Sequence, residues 1–230
     1  MNYNILDNPV WHALNTVHQK FATGTDTIKK YPSDVLQILG CGDPESANLN
    51  DIEPWITPGE KLFMVGELAP LPANWKILNK LDTTQMICSE PANLSFADPA
   101  EVVHLTNTDR VEMIELINLV QPGFFHRNTP LLGNYFGIKQ QNKLVAIAGE
   151  RLKITGFTEI SAVVTHPSFT GKGFAQQLVS HVMNKNLNEG AVPFLHFAST
   201  NSRARKVYEL LGFQERKVVP FWQLAPTFLS

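Results

Sequence analysis

Gly171, Lys172 and Gly173 stand between a short apolar run and an amphipathic one, an arrangement suited to holding an anion. Upstream, Ile160, Ala162, Val163 and Val164 have the character of a strand buried on both faces, and Pro167 and Ser168 break it. Downstream, Phe174, Leu178, Val179 and Val182 recur at the spacing of a helix face. The glycines therefore sit at a helix N-terminus, where backbone N–H groups lack internal partners and the macrodipole is positive. Glycine lets a pyrophosphate approach those amides, and Lys172 adds a positive charge. Taken alone, the same stretch also reads as a strand-to-helix turn in which glycine only supplies backbone angles. A second group follows about thirty residues on. Asn201 is placed to cap a helix, Ala204, Val207, Tyr208 and Leu211 recur along one face, and Gly212 ends it. Tyr208 brings a phenol, protonated at neutral pH because its ordinary pKa is near 10, and able to give a proton to a leaving group.

Together, Thr170-Gly171-Lys172-Gly173-Phe174-Ala175 and the later N-x-x-A-x-x-x-Y-x-x-x-G-F of residues 201–213 resemble the GNAT superfamily of acyl-CoA-dependent N-acyltransferases, over roughly residues 100 to 228. The resemblance implies an α/β protein with a mixed, largely antiparallel sheet. One parallel step in it parts to admit pantetheine. On that resemblance Val163, Val164 and Thr165 offer backbone groups to pantetheine. Thr170, Gly171, Lys172, Gly173, Phe174 and Ala175 hold the pyrophosphate, and Asn201 borders the other side. Thr170 stands where the family usually has Arg or Gln. Tyr208 matches the family's acid for the departing thiolate. The implied co-substrate is acetyl-CoA with no metal, and the implied activity is direct transfer of an acetyl group to a primary amine in a ternary complex. The acceptor is a small amine or a peptide amine. A non-catalytic acyl-CoA-binding module that keeps the fold is the alternative.

An attacking alkylamine must be neutral, yet with a pKa near 10 only about one part in a thousand is neutral at pH 7. A base is expected. Glu159 begins the strand and shares a face with Ser161 and Val163 by period-two alternation, which makes it the leading candidate. Glu150, in the preceding strand, and His166, beside Pro167, are others; His196 and Trp222 are placed to line the same cleft or to pack in the core. Phe124, Phe125 and His126 open a loop-rich stretch, FFHRNTPLLGN, and are expected either at the acceptor or in ordinary packing.

The elements that must carry these residues divide the chain. Prolines and small polar residues between Ser89 and Ala100 interrupt both periodicities, which predicts domains at 1–97 and 98–230. In the first, a helix is expected from Asn8 and Pro9 with Trp11, Leu14, Val17 and Phe21 on one face up to Gly24. Short helices are expected over residues 33–39 and 47–56, and strands over 61–68 and 76–88. This α/β half reads either as a degenerate copy of the transferase fold or as a lid. In the second, strands are expected at 101–105, 135–139, 143–154, 192–199 and 218–224, with a helix capped by Asn107. The 230 residues carry a net charge of −2 with no Lys/Arg cluster, which speaks against nucleic-acid or anionic-membrane partners. No signal-peptide pattern or long apolar run is present, so the expected location is the cytoplasm. Cys41 and Cys88 lack metal spacing and are expected to be reduced.

Overall fold

The computed structural model describes residues 2–96 and 98–227, and its β-branched and aromatic segments join in one eleven-stranded mixed sheet. After a 3-10 turn over Tyr3–Asp7 the chain forms α1 (Pro9–Leu14), β1 (Thr23–Gly24), β2 (Ile28–Lys30), β3 (Ile38–Cys41), β4 (Leu62–Val65) and β5 (Trp75–Ile87). Then come β6 (Val103–Leu105), α2 (Arg110–Val120), β7 (Tyr135–Gln140), β8 (Lys143–Ile154), β9 (Phe157–Thr165), α3 (Phe174–Asn188), β10 (Val192–Ala198), α4 (Ser202–Leu210) and β11 (Gln214–Pro226). The spatial order is β1-β2-β3-β4-β11-β5-β10-β9-β8-β7-β6. Two steps are parallel, β9 with β10 and β3 with β4.

The β7–β8 hairpin forms as expected, because Gln141 and Asn142 take φ of 50° and 60°, the left-handed pair that matches strand twist. Thr106 and Asp109 build a capping box ahead of α2. Gly212, at φ 94°, closes the turn after α4, and a Cβ there would lie 2.8 Å from Glu90 O and Ala92 N.

The N-terminal elements differ from expectation. The first helix stops at Leu14, because Asn15 and Thr16 side chains donate to the carbonyls of Trp11 and His12 at 2.8 and 2.6 Å and turn the chain. Residues 38 and 39, expected to end the helix over 33–39, instead open β3, a four-residue strand buried on both faces and thus without a readable period. Residues 49–55 form a 3-10 helix with Pro54 inside it.

Two apolar layers flank the sheet. Leu178, Val179, Val182 and Met183 of α3, with Tyr208 and Leu211, cover Ile160, Leu195 and Phe197. On the other face Leu6, Val10, Ala13 and Leu14 pack with Leu152, Phe194 and Phe221. The expected boundary residue Ala97 lies outside the described residues. The sheet runs across that boundary: β5, from the N-terminal half, sits between β10 and β11.

Candidate active site

β9 and β10 are paired from Phe157 and Val192 to Ile160 and Leu195, and beyond that point they part. The cause lies in β9. Ile147 faces Val164 and Gly149 faces Ser161, so one residue of β8, Ala148, opposes two of β9, and Ala162 is driven to φ 54°. A left-handed alanine costs about 1–2 kcal/mol, and the bulge it belongs to bends the strand away from its neighbour. The parting opens a cavity of about 360 Å³ that passes from one face of the sheet to the other. Asn201, Ala204 and Tyr208 line it on the α4 side; Arg151, His196, Phe221, Phe124 and Phe125 line it on the other.

The residues expected at the co-substrate fall into two groups. Val163, Val164 and Asn201 line the cavity, and Asn201 Oδ1 also accepts from Ala204 N at 3.0 Å as the cap of α4. Thr165 follows them with its hydroxyl buried and, among the described residues, unpartnered. Gly171 and Gly173 adopt φ of 82° and 78° at the start of α3, and a Cβ on either would meet nothing within 4 Å. They therefore supply backbone angle and leave space open in front of the unpaired amides of the helix. Phe174 anchors that helix in the core, with Ala175 half-buried beside it. Lys172 Nζ lies 5.1 Å over the Phe169 ring, and Thr170 Oγ1 donates to Pro167 O at 3.1 Å. Parted strands, an orphaned hydroxyl and a glycine-framed helix terminus together fit a pantetheine arm ending in phosphates.

The reacting end differs more from expectation. Tyr208 packs on Phe197 and Phe213, its hydroxyl makes no hydrogen bond among the described residues, and burial pushes its pKa up to about 12. Glu159 is fully buried and does not line the cavity. Its Oε2 accepts from Arg151 Nε at 2.8 Å, and its Oε1 accepts from Arg151 Nη2 at 2.6 Å and His196 Nδ1 at 2.7 Å. Burial would raise its pKa, but the Arg151 charge and these bonds outweigh it and hold the carboxyl at about 2. Glu159, the leading candidate to take the amine proton, is thus engaged by Arg151 and His196 and orders both. Glu150 is likewise held away, by Asn134, Lys153 and Lys185, and His166 Nδ1 accepts from Ser168 N within its turn. Trp222 donates to Gly66 O and does not line the cavity.

His196 does reach the cavity, with its tautomer set by neighbours. Arg216 donates to Gln85 Oε1 at 2.8 Å and Leu6 O accepts from Gln85 Nε2 at 2.8 Å, which fixes the amide. Gln85 Nε2, 2.9 Å from His196 Nε2, is therefore the donor there, and His196 Nδ1–H points at Glu159. Of the loop aromatics, Phe124 packs at a tilt on Phe63 and Phe125 meets Tyr135 edge-on, both at the cavity. His126 lines a small recess beyond Phe124 and Arg151 instead, and burial lowers its pKa.

Arg151 and Gln85 were not anticipated from the sequence. Arg151 owes its aim to a second bulge: Glu150 faces Ile160 and Lys153 faces Thr158, leaving Arg151 and Leu152 opposite Glu159. Strict alternation cannot report such a residue.

The FR47-like protein family matches residues 135–222, which span β7 to most of β11 and hold the cavity's core strands. Among solved structures, one from Novosphingobium aromaticivorans assigned to the GNAT family of acetyltransferases is 27% identical, with 96% of this chain and 98% of that chain covered and a TM-score of 0.88. A GCN5-related N-acetyltransferase from Kribbella flavida is 13% identical over 96% of this chain and 94% of that one, with a TM-score of 0.63. A GCN5-related N-acetyltransferase-like protein from Streptococcus suis is 14% identical over 88% and 82%, with a TM-score of 0.53. No curated protein matches the sequence significantly.

Proposed function

We propose that this chain, whose residues 135–222 match the FR47-like protein family and whose fold is similar to that of GNAT-family structures, transfers the acetyl group of acetyl-CoA to a primary amine by direct attack within a ternary complex. The observation that carries this reading is the cavity through the parted β9 and β10, with the free hydroxyl of Tyr208 on one side and an acceptor-sized chamber on the other. The thioester supplies the activated acyl group. Val163, Val164 and Thr165 are the backbone donors and acceptors for the pantetheine arm. Gly171, Lys172, Gly173, Phe174 and Ala175, with Thr170 leading into them, receive the phosphates at the positive end of α3. Tyr208 gives its phenolic proton to the departing sulfur. Burial keeps that proton in place at neutral pH, and the same dry surroundings raise the affinity of a thiolate for it. Among the described residues no carboxylate lines the cavity and His196 Nε2 is occupied by Gln85, so the amine that reacts is the fraction arriving neutral. As the C–N bond forms and the C–S bond breaks, the proton that the nitrogen sheds on becoming an amide returns to the Tyr208 phenolate through solvent, which restores the acid.

The test is thermal unfolding with acetyl-CoA, with ATP as a control for generic phosphate binding, followed by free-thiol release with an amine panel. A ligand at 100 times its Kd stabilises by about 2.7 kcal/mol, a shift of several degrees for a chain this long. Tyr208→Phe should lower kcat about a hundredfold while leaving the acetyl-CoA shift unchanged, since the hydroxyl holds no structural bond. Equal turnover in variant and parent would remove Tyr208 as the acid. A shift with no thiol release across the panel would leave an acyl-CoA-binding module.

A further inference from the structure

The acceptor chamber is apolar on most sides, and among the described residues Arg151 is the one charged side chain that lines it. The bulge in β8 turns Arg151 toward Glu159, and the pair is then pinned: Nε and Nη2 donate to the carboxylate, while the guanidinium carbon lies 5.8 Å over the Phe221 ring. A guanidinium has five N–H groups. Two are spent on Glu159, and no bond from Nη1 to another described residue is present. Arg151 lines both the main cavity and the recess that Gln37, Phe63 and His126 also line. Glu159 removes the cost of burying the cation and fixes its plane, which leaves a preorganised fork for a second carboxylate. Among the described residues, a cationic or polyamine acceptor would find no carboxylate on the walls to receive its remaining charges. Phe124, Phe125, Tyr135 and Phe221 offer an aromatic floor to the rest of the molecule.

From this we infer that the acceptor is an amine that also carries a carboxylate on an apolar body, an amino acid with an apolar side chain, and that Arg151 is the residue that anchors its carboxylate. The inference rests on the acyl-transfer reading for the role of the amine, but the anchor itself is a binding site and is testable without turnover.

The probes are N-acetylphenylalanine and N-acetylphenylalaninamide, which differ only in the charge of the anchored group, titrated by calorimetry into the 230-residue chain. The acid should bind at least tenfold more tightly than the amide. Arg151→Gln strands the buried Glu159, so the double variant R151Q/E159Q, whose paired amides keep hydrogen bonds across the site, is the second arm. There the preference for the acid should fall to within twofold. Equal or tighter binding of the amide, failure of both probes to bind, or a preference that survives in the double variant would each overturn the assignment. Acetyl-CoA is titrated in parallel. An acid preference lost with the double variant, in a protein that does not bind acetyl-CoA, would uphold the anchor and remove the transferase reading.

Discussion

The Glu159 carboxylate is out of contact with water, yet three hydrogen bonds reach it, two from Arg151 and one from His196. Its ordinary pKa of 4.5 is depressed to about 2 in the folded chain. A carboxylate shifted downward contributes stability that is fully present above its unfolded pKa and is lost as pH falls toward the folded one. The contribution of Glu159 should therefore hold above about pH 5 and drain away between about pH 4.5 and 2. By linkage the loss from pH 6 to pH 3 is on the order of 2 kcal/mol. Asp7, Asp109, Glu60 and Glu150 are also depressed and add to acid sensitivity, so the comparison must be with Glu159→Gln. Urea unfolding at the two pH values should show the variant less stable at pH 6 and less sensitive to acid; parallel pH curves would sink this account. That Glu159 belongs to β9 was legible in the alternation of Glu159, Ser161 and Val163. Its role was not, because the bulge that brings Arg151 onto it leaves no trace in sequence spacing.

At the scale of elements, two glycines with the same backbone angle separate binding from folding. Gly173, at φ 78°, opens α3 and Gly190, at φ 77°, follows its end, and at both a Cβ would meet nothing within 4 Å. Alanine in the left-handed region costs about 1–2 kcal/mol at either site, a fall of a few degrees in Tm. Gly173→Ala and Gly190→Ala should thus lower the Tm alike, while only Gly173→Ala weakens the further stabilisation by acetyl-CoA. Equal acetyl-CoA shifts in both would remove the helix terminus as the phosphate site. This loop and helix were readable from residues alone, since glycine angles, capping and helical spacing are local. The N-terminal strands were not: β3 is four residues long and buried on both faces, so nothing in it alternates.

For the whole molecule, the decisive strand is β5. Its residues Thr83–Ile87 pair with β10 on one side, and most of its length pairs with β11 on the other. Leu81 and Thr83 of the same strand line the cavity, and Gln85 holds His196. A fragment of residues 98–230 would lose the strand between β10 and β11 and expose the face covered by Met86 and Cys88. It should give a far-UV circular dichroism spectrum without cooperative thermal unfolding, while the full chain unfolds cooperatively. A cooperative fragment would establish 98–230 as an independent domain.

The sequence by itself determined the acyltransferase resemblance, the glycine-framed start of α3, the cap at Asn201 and the placement of Tyr208, since each rests on contacts within a few residues along the chain. Only the tertiary structure decided where β9 leaves β10, that Glu159 is spent on Arg151 and His196, that Arg151 lines the cavity, and that the N-terminal half supplies a central strand. Those depend on register, bulges and pairings between residues distant along the chain, such as Gln85 with His196, 111 positions apart. Local propensity carries no information about them.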